Sequence, residues 1–157
     1  MSYDVYKTLQ DSRIERLNLD LVVEVLTHIS KDKPGAILVF LPGIGEITKL
    51  MRLMDESNRF PPDRFEIYPL HSKLPTLEQH KIFEKPPEHM RKIIIATNIA
   101  ETSITIDDIV YVVDCGKIKI SGLNVEKNQS TLAVEWVAKA NLHQRYLFLF
   151  LIYYVLF

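Results

Sequence analysis

The chain has 157 residues, room for about one domain of ordinary size with a real core. Its 47% hydrophobic and 25% charged residues are ordinary for a globular protein, and a net charge of −1 gives no basic signature, so any contact with nucleic acid must come from individually placed groups. A single cysteine, Cys115, excludes an internal disulfide, suits a reducing compartment and reads as a small buried residue beside a strand.

The first twenty residues are polar and charged where a secretory segment needs an apolar stretch, and residues 1–16 read as a polar lead-in. Leu19 to Lys31 follows as an amphipathic helix, with Asn18 as N-cap, Leu17 placed to staple onto Val22, and Val22, Val25, Leu26 and Ile29 at helical spacing. Pro34-Gly35 stops it. Ala36 to Leu41 (AILVFL) is continuously apolar, as in a strand buried on both faces of a parallel sheet. Pro42-Gly43 breaks that strand, and a second helix is expected over Glu46 to Glu56. After a loop from Ser57 to Arg64, Phe65 to Leu70 reads as the next strand, ending in His71-Ser72.

Thr76 to Gln79 has capping-box spacing and opens a short helix that Pro86-Pro87 closes. Lys92 to Thr97 and Ile109 to Asp114 are two further strands, and Gly116 turns the chain. A last helical pattern is expected from Thr131 to Gln144, with Leu132, Trp136 and Ala140 on one side. Tyr146 to Phe157 (YLFLFLIYYVLF) is twelve uncharged apolar or aromatic residues, shorter than the roughly 20 a membrane span requires. This alternation of strands and helices predicts an α/β fold with a mainly parallel sheet.

Three strand ends carry polar groups: Pro42-Gly43-Ile44-Gly45, His71-Ser72 and Thr97-Asn98. Right-handed crossovers would line them along one edge of the sheet, where hydroxyl, amide and backbone N–H groups suit a phosphate chain. The plainer reading stands beside this one. Thr97 and Asn98 are also ordinary loop formers that bond their own backbone, Asp107-Asp108 could cap a turn, and His71 could be a core histidine. PGIGEITK is a poor dinucleotide fingerprint, because Thr48 stands where its third small residue belongs and the next strand ends in His71 rather than an acid. The five histidines show no metal spacing with Cys115 or with paired carboxylates, no GxSxG elbow occurs, and no GxxxxGK followed by Ser or Thr is present.

The segment Thr97 to Asp107, TNIAETSITID, resembles motif V of the DEAH-box RNA helicases, motors with two RecA-like domains. ILVFLPGIGEI is similar to motif IV, PLHSKL with Gln79 to motif IVa, YVVDCG to motif Va, and AVEWVAKANLHQR to the approach to motif VI. The phrase EWVAKAN leans toward the branch that resolves G-quadruplexes. The resemblance runs from Leu17 to Arg145 and implies a RecA-like fold, with helices on both faces of its sheet, for the second motor domain alone (residues 17–145, incomplete at motif VI).

By resemblance, Thr97 and Asn98 hold the RNA backbone, Gly43 meets RNA through its own backbone, and His71 and Ser72 form a further RNA-facing pair. Ser103 matches a serine that senses nucleotide state. Thr105 and Asp107 match positions facing the nucleotide, the carboxylate accepting from a ribose hydroxyl. Gln144 matches the opening glutamine of motif VI, near the γ-phosphate and the attacking water. The resemblance implies ATP with Mg²⁺ as cofactor in a complete parent, none bound firmly by this chain alone. It also implies RNA (or structured RNA or DNA), the first RecA-like domain as partner, no membrane span, and an intracellular location, nuclear or cytoplasmic.

After Arg145 the family's Gly/Arg-rich close of motif VI gives way to the apolar run, so residues 146–157 are read as a non-family tail that extends the preceding helix or lies across the domain. The expected function is the RNA-gripping and nucleotide-sensing half of an ATP-dependent RNA helicase. The alternative is a non-catalytic product that binds RNA or a partner weakly.

Overall fold

The computed structural model describes residues 17–73, 80–98, 106–124, 129–136 and 153–156. Its elements are α1 (Leu19–Ile29), β1 (Ala36–Phe40), α2 (Ile44–Glu56), β2 (Phe65–Leu70), a 3₁₀ turn (His80–Phe83), β3 (Arg91–Ala96), β4 (Ile109–Asp114), β5 (Lys117–Asn124), β6 (Gln129–Trp136) and β7 (Tyr153–Leu156). Five strands form a sheet in the order β2-β3-β1-β4-β7, parallel at every pairing, while β5 and β6 make a separate antiparallel pair. Such a parallel sheet with helical segments on both faces is the RecA-like arrangement the sequence implied.

Strand position follows from apolar content. β1 and β3 are buried at every residue and lie inside the sheet, as continuous apolar runs require. β2 contains Pro69, which cannot donate to a ladder, and β2 is an edge strand. One face of the sheet (Ile37, Val39, Ile93, Ile95, Tyr111, Val113) packs against Val22 and Leu26 of α1 and Ile47 and Leu50 of α2. The other face (Leu38, Phe40, Ile94, Ala96, Val112) packs against Leu70 and against Ile82 of the 3₁₀ turn.

Local signals worked where a named interaction set them. Asn18 caps α1, its side chain accepting from the Leu21 N–H at 3.1 Å, and Leu17 packs on the core containing Val22. Gly116 turns the chain with φ 67°. The short helix expected from Thr76 begins outside the described residues, which show the 3₁₀ turn at His80–Phe83.

Two expectations are corrected. The helix expected over Thr131 to Gln144 is a strand as far as Trp136, paired with β5 from Lys117↔Trp136 to Asn124↔Gln129. Leu132 and Trp136, four residues apart, satisfy period 2 as well as helical spacing, and Val134 between them completes a strand alternation. The tail likewise does not simply prolong a helix, since Tyr153–Leu156 adds a parallel strand beside Tyr111–Asp114 of β4. Among the described residues, no helix is long and apolar enough to cross a membrane.

Candidate functional site

Parallel pairing brings the polar strand ends to one level. Phe40 pairs with Ala96 on one side and Asp114 on the other, and Leu70 pairs with Ala96. The ladder continues one step further, with Thr97 N–H donating to Leu70 O (3.1 Å), Leu41 N–H to Ala96 O (2.8 Å) and Cys115 N–H to Phe40 O (3.3 Å). His71-Ser72, Thr97-Asn98 and Pro42-Gly43 therefore leave adjacent strands side by side at the carboxyl edge. Asn98 and Ser72 are exposed, Thr97 is buried, and His71 Nδ1 accepts from the Lys73 N–H at 3.2 Å. His71 is half-exposed, so it is not a core histidine.

Gly43 stands at the N-cap of α2 in extended conformation, with no side-chain cap, which leaves the first N–H groups of the helix pointing toward this edge. An ion pair lies over it. Lys119 Nζ on β5 donates to both carboxylate oxygens of Glu46, at 2.9 and 2.8 Å. Neither residue was singled out in the sequence, because Lys119 and Glu46 meet only once the β5–β6 pair folds back on α2. The Lys117-Ile118-Lys119-Ile120 alternation was the available signal for that strand.

Asp107 lies elsewhere. It precedes β4, whose start is level with the start of β1: Ala36 pairs with Ile109, and the Ala36 N–H donates to Asp108 O at 2.8 Å. Asp107 is exposed at the amino edge, separated from Thr97 by the length of a strand, about 20 Å for six residues. Ser103, Thr105 and Gln144 lie outside the described residues.

A buried ion pair organises the amino edge. Lys92, fully buried, donates to the carbonyls of Ile82 (2.7 Å) and Glu84 (2.9 Å) and meets Asp108 Oδ1 at 2.9 Å. The two carbonyls flank Phe83, which is 49% exposed, and Asp108 follows Asp107. Lys92 thus ties an exposed aromatic to the neighbourhood of an exposed carboxylate. A cavity of about 240 Å³ opens at this edge, lined by Pro34, Gly35, Ala36, Lys85, Met90 and Asp108 among others. Sequence reasoning missed Phe83, since nothing about a Phe before Pro-Pro marks it as exposed. Among the described residues, no group of three or more His, Cys, Asp or Glu could hold a metal ion.

On the far side of the same edge, Arg91 closes the entry to β1. It donates to the carbonyls of Gly35 (2.9 Å) and Ile29 (3.0 Å) and to that of Lys33, with its guanidinium 5.5 Å from the centre of the Tyr111 ring. Tyr111 donates its hydroxyl to Asp32 at 2.6 Å. That bond, followed by the Lys33 N–H, holds the Asp32 carboxyl below the usual carboxylate range.

Residues 18–145 match the family model described as helicase conserved C-terminal domain. The chain is 48% identical over 143 residues to the ATP-dependent DNA/RNA helicase DHX36 of Homo sapiens, covering 90% of this chain and 14% of that protein. It is 46% identical over 146 residues to the chloroplastic DExH-box ATP-dependent RNA helicase DExH4 of Arabidopsis thaliana, covering 92% of this chain and 10% of that one. Among solved structures, it superimposes on the Escherichia coli DEAH/RHA helicase HrpB with a TM-score of 0.76 at 30% identity, over 90% of this chain and 18% of that chain. The chain therefore spans at most 14% of the length of these two curated relatives.

Proposed function

Because this chain belongs to the helicase conserved C-terminal domain family, in its DEAH/DExH-box branch, we propose that it supplies the RNA-gripping and nucleotide-sensing half of an ATP-dependent motor. The observation that carries this reading is the division of its polar groups between the two edges of one sheet. Gly43, His71, Ser72, Thr97 and Asn98 share the carboxyl edge, whereas Asp107 stands at the amino edge.

At the carboxyl edge, the Thr97 hydroxyl, the Asn98 amide and the N–H groups around Gly43 donate to phosphate oxygens. Such contacts fix a strand's register and carry little base information. At the amino edge, the Phe83 ring offers a face for a nucleobase and the Asp107 carboxylate accepts from a ribose hydroxyl. These groups fit the nucleoside end of ATP. The residues described here bring no acidic cluster for Mg²⁺, which the first RecA-like domain of a complete motor would hold. ATP would supply the phosphoryl transfer there, with Gln144 near the γ-phosphate. Residues 99–105 connect the two edges covalently and contain Ser103, the sensing position, and Thr105.

Fluorescence anisotropy with labelled 12-nucleotide RNAs of two unrelated sequences tests the carboxyl edge. Replacing Thr97 and Asn98 together with Ala should weaken binding to both RNAs by about tenfold, the value of roughly one charged hydrogen bond. Unchanged binding, or loss for only one sequence, would overturn the assignment.

A further inference from the structure

We propose that Lys92 is a positioning residue for nucleotide recognition: it sets the Phe83 ring and the Asp107 carboxylate at the spacing that one nucleoside spans. The proposal rests on the reading of the amino edge as the nucleoside end, and adds to it the group that builds that edge.

Packing alone does not call for a lysine here. Lys92 alternates with Ile94 and Ala96 on the face of β3 that packs against Leu70 and Ile82, and it is fully buried. An aliphatic side chain would fill that position with no ammonium to desolvate. The ammonium has three donors, and each has an acceptor: Ile82 O at 2.7 Å, Glu84 O at 2.9 Å and Asp108 Oδ1 at 2.9 Å. Those acceptors belong to the two segments that carry the nucleoside groups. Two are the carbonyls on either side of Phe83, and the third is the side chain next to Asp107.

Each segment also has its own anchor. The 3₁₀ turn is seated in the core by Ile82, and residue 108 is tied to β1 by the Ala36 N–H donating to Asp108 O at 2.8 Å. Lys92 is the side chain that joins the two segments directly, through a saturated set of short bonds. Groups that act together on one ligand must be held to about 0.5 Å, and here the constraint comes from a residue buried beyond the reach of any ligand. With Lys92 in place, a base stacked on Phe83 brings its ribose to Asp107.

The preference for AMP over 2′,3′-dideoxy-AMP, measured on the 157-residue chain by NMR titration, reads the ribose contact alone. In the parent it should be about tenfold, the value of roughly one charged hydrogen bond. Asp107→Ala should abolish it. Lys92→Met and Asp108→Ala should each bring it close to one, because the base still stacks while the ribose no longer meets Asp107. Asp108→Asn, whose amide oxygen still accepts from Lys92, should restore it. A residue that only stabilised the fold would lower both affinities together, or neither, and leave their ratio unchanged.

A parent-like preference in Lys92→Met and Asp108→Ala, with Asp107→Ala losing it, would overturn the positioning role and leave the nucleoside reading standing. If Asp107→Ala keeps the preference, or the parent shows none, that reading falls and the proposal with it. Loss in Asp108→Asn as well as in Asp108→Ala would put the ribose contact on Asp108 itself and also overturn the proposal. Should Lys92→Met fail to fold by circular dichroism, the contrast between Asp108→Ala and Asp108→Asn decides the matter.

Discussion

Gly35 enters β1 with φ 130°, and a Cβ there would lie 2.1 Å from Val110 Cγ2. Both the backbone conformation and the space exclude a side chain, so Gly35→Ala should destabilise the fold by about 2–4 kcal/mol in urea unfolding. A change within about 0.5 kcal/mol, the usual range for an ordinary surface site, would contradict the packing described. Beside it, the Tyr111–Asp32 hydrogen bond makes a pH-dependent contribution whose sign is fixed. The Asp32 carboxyl is held below its ordinary value in the folded state. Its stabilisation is therefore present above the unfolded-state carboxylate range and is lost as pH falls through the folded value, below about pH 4. Melting temperatures taken from pH 7 to pH 2 should fall less steeply at the acid end for Tyr111→Phe than for the parent. Parallel acid limbs would show that the bond does not persist in solution.

Among the elements, the 3₁₀ turn is held by Ile82 in the core and by the Lys92 side chain. Lys92→Met would strip two carbonyls of their donor and leave Asp108, only 13% exposed, without its cation. Removing one partner of a buried pair costs about 3–5 kcal/mol, and chemical denaturation should find a loss of that order. The turn was only partly legible in the sequence, because Lys92 sits in a run that reads as plain strand and its carbonyl partners leave no trace in side-chain pattern. α1, β1, β2 and β4 were legible, since each is set by a local device: the Asn18 cap, an unbroken apolar run, or Gly and Pro punctuation. β6 was misread because spacing of four fits both periods and only its pairing with β5 decides. β7 was missed for a related reason, as an all-apolar run has no periodicity and its partner β4 lies about forty residues earlier. Its pairing sets the outcome of shortening the chain. Ending it at Arg145 would remove the outer partner of Tyr111–Asp114, leaving β4 paired with β1 alone, and should lower the melting temperature by about 3 °C or more. An unchanged melting temperature would mean that β7 contributes nothing to the sheet.

For the molecule as a whole, a net charge of −1 means that affinity for RNA has to come from the placed groups of one edge. The 157-residue polypeptide taken by itself should hydrolyse no ATP above background, with or without RNA, because its sequence contains no phosphate-binding GxxxxGK loop. RNA-stimulated turnover surviving rigorous purification would contradict this. The candidate site was legible in the order of its motifs, and the register of β2, β3 and β1 brings Gly43, His71, Ser72, Thr97 and Asn98 to one level. Its division between two edges was not legible, since that depends on where β4 starts relative to β1. That division is the central claim, and an amide NMR titration of the isotope-labelled chain tests it most directly. A 12-nucleotide oligo(U) should shift Gly43, Ser72, Thr97 and Asn98 and leave Phe83 and Asp107 in place, while a non-hydrolysable ATP analogue at high concentration should do the reverse. Both ligands perturbing the same edge, or oligo(U) acting at Phe83 and Asp107, would contradict the account.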